Sequence, residues 1–70
     1  MPPMTFTVEY EQEDDGRWLA EVLELPGVLA YGESSDVAIA RAQALALRVL
    51  ADRLENGESA EFVSISFAAA

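Results

Sequence analysis

The chain has 70 residues, 51% of them apolar, and thirteen Asp and Glu against four Arg, for a formal charge of −9. That charge repels phosphate backbones and argues against direct nucleic-acid binding by this chain alone. No apolar run reaches the ~20 residues of a membrane span.

Met1 to Thr5 has neither the basic start nor the apolar core of a signal peptide, so the cytoplasm is the expected compartment. With no cysteine and no histidine, neither a disulfide nor a structural zinc can supplement the small core of such a chain. A single domain over residues 1–70 is expected. Its extra stability has to come from good packing or self-association, so a homo-oligomer is expected, with a dimer as its form.

Thr5 to Gln12 alternates, with Phe6, Val8 and Tyr10 on one side and Thr7, Glu9 and Glu11 on the other, the period of a half-buried strand. Asp15-Gly16 then signals a hairpin turn, and Trp18, Ala20 and Val22 continue the alternation in a second strand. Leu19 and Leu23 fall on the opposite side with Glu21. Pro26-Gly27 breaks the ladder before a short third strand, Val28 to Tyr31.

Ser34 is suited to cap a helix running from about Ser35 to Asn56, which Gly57 ends in a left-handed conformation. At 100° per residue Ile39, Ala42, Ala46, Val49, Leu50 and Leu54 form one apolar stripe, opposed by Arg41, Arg48, Asp52 and Glu55. The small alanines suggest a close approach of helix to sheet. Glu61 to Phe67 alternates again as a last strand, laid parallel beside the first by a right-handed crossover. The expected fold is α+β, in the order β-β-β-α-β, with one helix on one face of a four-stranded mixed sheet. Phe6, Val8, Tyr10, Trp18, Ala20, Val22 and the helix stripe are its expected core.

The run Trp18-Leu19-Ala20-Glu21-Val22-Leu23-Glu24-Leu25-Pro26-Gly27, followed by Gly32-Glu33-Ser34 before an Ala-rich helix, resembles the pattern of the HicB-like antitoxin family. The Asp14-Asp15-Gly16 turn agrees, and the resemblance extends from about Phe6 to Phe67. It implies a partly reduced ribonuclease-H-like fold and a role in neutralising a small basic HicA-type ribonuclease toxin by covering its RNA-binding or catalytic surface. Leu23 departs from the family's usual proline. The helix-turn-helix or ribbon-helix-helix that full-length antitoxins use on operator DNA is not found by Ala70, so autoregulation by direct DNA binding is not expected.

A ribonuclease-H-like outline raises the question of metal-dependent hydrolysis by Glu9, Glu11, Glu21 and Asp36. No tight cluster stands out among them, and the chain has no His, Lys or Cys to serve as base or nucleophile. The serines therefore read as cap and strand residues, and Glu13, Asp14 and Asp15 as a solvated turn, since an EF-hand spreads its ligands over twelve residues. No catalytic residue, metal or cofactor is expected. Arg41 and Arg48 are expected to pair locally with Asp52 and Glu55.

The helix covers one sheet face only, so the other is free for a protein partner. Glu9, Glu11, Leu19, Glu21 and Leu23 are the expected contact residues, with Leu45 and Leu47 as further candidate anchors. The competing reading is an orphan self-associating scaffold or regulatory subunit without a toxin, for which the same face would be the dimer interface.

Overall fold

The computed structural model describes residues 3–57 and 64–70. Strands β1 (Met4–Gln12), β2 (Trp18–Val22) and β3 (Leu29–Gly32) precede helix α1 (Ser35–Glu55), and β4 (Ile65–Ala69) follows it. In the sheet they lie in the order β3-β2-β1-β4. The first three are antiparallel neighbours and β4 runs parallel to β1, with Phe6 opposite Phe67. The expected α+β order and parallel closure hold, although Glu61 to Val63 of the expected last strand lie outside the described residues.

Each reversal has a local cause. Gly16, at φ 93°, lets its own N–H reach the Glu13 carbonyl while Glu13 N–H closes on Arg17. At the second corner Gly27, at φ 87°, allows Val28 N–H to donate to the Leu25 carbonyl and Leu25 N–H to that of Val22. This corner turns inward, burying Leu25 and Val28 in the core. The sequence pattern missed both, and the third strand begins one residue later than expected.

The helix begins where the Ser34 hydroxyl accepts the Val37 N–H at 3.2 Å, and ends with Asn56 and the left-handed Gly57. Its buried stripe is Ala38, Ala42, Ala46 and Leu50. Three alanines bring the helix down onto the sheet: a Cβ placed on Gly32 of β3 would sit 2.5 Å from the Ala38 amide nitrogen.

Phe6, Val8 and Val22 are the largest fully buried side chains under that stripe. Burying such a side chain contributes about 1.5–3 kcal/mol. Two expected core residues are corrected. Tyr10 is 42% exposed, because β1 runs on past the helix-covered part of the sheet, and its ring lies against the half-buried Trp18 at 6.4 Å. Leu54 is 43% exposed, because the helix is set over β2 and β3 and leaves its own far flank overhanging. Leu45, expected outside, packs against the core instead.

Candidate partner-binding face

Alternation along the strands sends Phe6, Val8, Ala20 and Val22 under the helix and the intervening residues to the reverse side. The register aligns those residues in rows across three strands. Glu11, Leu19 and Tyr31 make one row, and Glu9, Glu21 and Leu29 the next. Glu9, Glu11, Leu19 and Glu21, four of the five residues expected to form the contact, thus come together, and with Tyr10 and Ala70 they line an open groove of about 350 Å³. Leu23 stands apart, beyond the end of β2, where it is 43% exposed and its N–H donates to the Thr7 carbonyl. Leu29 and Tyr31, about two-fifths exposed, are reverse-face residues that the sequence reading left out. Both lie inside the expected third strand, and their pairing with Glu21 and Leu19 of β2 is what puts them on this face.

The electrostatics of this face are uneven. Arg17 lies over the Tyr31 ring, 4.3 Å from its centroid, and makes the one ion pair found among the described residues, to Asp15 at 2.8 Å. The Arg17 backbone N–H and then its guanidinium hold the Asp15 carboxyl below its ordinary pKa. At the other end Glu24 extends the β1 ladder by one rung, accepting from Thr7 N–H at 2.7 Å and the Thr7 hydroxyl at 2.8 Å. Those two donors, the backbone one first, hold its pKa down.

Glu9 and Glu21 face each other directly in the register, with no ion pair to either among the described residues. Like charges placed opposite each other cost stability. The expected pairing of Arg41 and Arg48 with Asp52 and Glu55 is not made. Arg41 instead donates to the Tyr31 carbonyl at 3.0 Å, tying the helix to the outer edge of β3. Among the described residues no three acidic side chains gather where they could hold a metal, and no helix is long and apolar enough to cross a membrane.

A solved structure shares this arrangement. The N-terminal domain of the Burkholderia pseudomallei antitoxin HicB superposes with a TM-score of 0.74 and 27% sequence identity, over 84% of this chain and 69% of that one. The chain is HicB-like. No protein-family model matches it, nor does any curated protein.

Proposed function

We propose that this HicB-like domain, a single unit over residues 1–70, is an antitoxin-like binding module for a small basic ribonuclease toxin of the HicA type. The observation that carries the reading is the likeness to the HicB N-terminal domain, in a chain whose reverse sheet face sets Glu9, Glu11 and Glu21, without an ion pair among the described residues, beside apolar side chains. It is a binding protein of the cytoplasm within the partly reduced ribonuclease-H-like frame of its family, and it works by occlusion without catalysis of its own.

Each part of the face has a physical task in that reading. Glu9, Glu11 and Glu21 steer a basic surface toward the domain and raise the association rate. Leu19, Leu29 and Tyr31 supply the apolar centre from which affinity derives, with Leu23 at the margin. A cationic side chain of the toxin seated between Glu9 and Glu21 relieves their repulsion, so the pair favours the complex over the free domain. The toxin surface so covered is the one that would meet RNA.

Co-expression with the basic ribonuclease encoded nearest to this chain tests the reading. Growth should be restored by the wild type and not by a variant carrying Leu19→Ser and Glu21→Arg. The purified complex should form at low salt and weaken as salt is raised. Failure of any basic ribonuclease from the same host to bind would overturn the proposal.

A further inference from the structure

Two of the four basic residues in this lysine-free chain converge on one tyrosine. We propose that Tyr31 is the pre-ordered anchor of the reverse face, and that Arg17 and Arg41 are positioning residues that hold it in its binding conformation. This inference rests on the reverse face being the one that meets a basic partner, and it adds the residues that make that face rigid.

Tyr31 is held at its ring and at its backbone. The register sets Tyr31 opposite Leu19, so Arg17, two residues before Leu19, is its diagonal neighbour across the two strands, within reach of a long side chain. The Arg17 guanidinium lies 4.3 Å from the ring centroid. From the helix, Arg41 donates to the Tyr31 carbonyl at 3.0 Å. β3 is four residues long and forms one edge of the sheet, where neighbouring strands restrain a side chain from one direction only. The two arginines supply the missing restraint.

Arg17 is itself fixed. The Asp15 carboxylate accepts its backbone N–H at 3.1 Å and its Nε–H at 2.8 Å. The turn behind it is bonded at three further points: Glu13 N–H to the Arg17 carbonyl, Gly16 N–H to the Glu13 carbonyl, and the Gln12 side-chain amide to the Gly16 carbonyl. A guanidinium tethered at Nε to such a turn presents one flat face to the ring.

The stacking still leaves Tyr31 39% exposed, beside the half-buried Leu19 and in the row that ends in Glu11. A tyrosine joins a large contact area to few rotors, and one already ordered in the free domain loses little more freedom on binding. Charge opposes this effect. Arg17 and Arg41 are cations facing a basic partner, so on Coulombic grounds alone removing either would tighten the complex. Positioning predicts the opposite sign.

The Kd for the basic ribonuclease encoded nearest to this chain, measured well below the melting temperature of every variant, should rise about two- to tenfold for Arg17→Gln and for Arg41→Met. Arg17→Lys keeps the charge but has neither the flat face nor the Nε–H tether, and its Kd should rise as well, where charge alone predicts no change. A purely structural role would lower Tm and leave Kd unmoved. In the free domain, NMR couplings should give Tyr31 one χ1 rotamer in the wild type and an average over several in Arg17→Gln. The proposal is overturned if Arg17→Gln or Arg41→Met binds as tightly as the wild type or more tightly, or if Tyr31 keeps a single rotamer without Arg17. Should Arg17→Gln not fold, Arg17→Lys carries both comparisons. If the ribonuclease binds no form of the domain, the wild type included, the antitoxin reading fails instead, and the rotamer measurement alone decides whether Arg17 orders Tyr31.

Discussion

Replacing Glu21 with Gln should stabilise the free domain and weaken its complex with a basic partner, two effects of opposite sign from one carboxylate. Glu21 lies directly across from Glu9, and two carboxylates ~6 Å apart in water repel by about 0.7 kcal/mol. That lies within the about 0.2–1 kcal/mol typical of cross-strand pairs. For a domain of this size 1 kcal/mol moves Tm by about 4–8 °C, so the gain should be about 3–5 °C at low salt. It should shrink above ~0.1 M salt, where the screening length falls to about 10 Å. Thermal melts of Glu9→Gln, Glu21→Gln and the double variant check the assignment, because the repulsion can be removed only once and the double variant should gain less than the sum of the singles. Titration of the basic partner onto the same proteins should show a several-fold rise in Kd that high salt abolishes. If Glu21→Gln leaves the low-salt melt unchanged or lowers it, the cross-strand assignment is wrong; if the partner binds it as tightly as the wild type, the reverse face is not the interface.

Other substitutions probe the frame beneath that face. Gly32→Ala drives a methyl group into the backbone of the first helical turn, 2.5 Å from the Ala38 nitrogen, and should cost about 1–3 kcal/mol in urea denaturation. A neutral result would mean that the helix is not seated this closely. Ser34→Ala removes the hydroxyl that accepts the Val37 N–H and should cost about 1 kcal/mol, with the loss of protection concentrated in the first turn of the helix. Glu24 has a folded pKa below its ordinary 4.5, so its contribution is complete above that value and is lost as pH falls through the folded pKa. The stability of Glu24→Gln should therefore lie below the wild type at pH 7 and converge with it below pH 4.5, and parallel curves would refute the assignment.

Much of the architecture was legible because period-2 and 3.6-residue patterns report which way a side chain points. Phe6, Val8, Ala20 and Val22 follow from alternation alone, and so do Glu9, Glu11, Leu19 and Glu21 on the reverse side. Those patterns do not report whether anything lies above a residue. Tyr10 and Leu54 point the expected way yet stay exposed, because coverage depends on where the helix is set across the sheet. Leu25 precedes a Pro-Gly corner where periodicity is broken, and Val28 opens a strand too short for alternation alone to choose its buried face, so neither was marked as core. The face taken by Leu29 and Tyr31, and the stacking of Arg17 on Tyr31, depended on a register between strands that only tertiary structure supplies.

The bond between the hydroxyls of Thr5 and Ser66 joins residues 61 apart in sequence. A sheet closed by so distant a pairing loses loop entropy before any of its reward arrives, which slows the search for the native topology. During synthesis the first strand would emerge from the ribosome long before its parallel neighbour exists. Over that interval one side of β1 stays open to wrong partners, and nascent chains crowded on a polysome would be where misassembly of this domain begins.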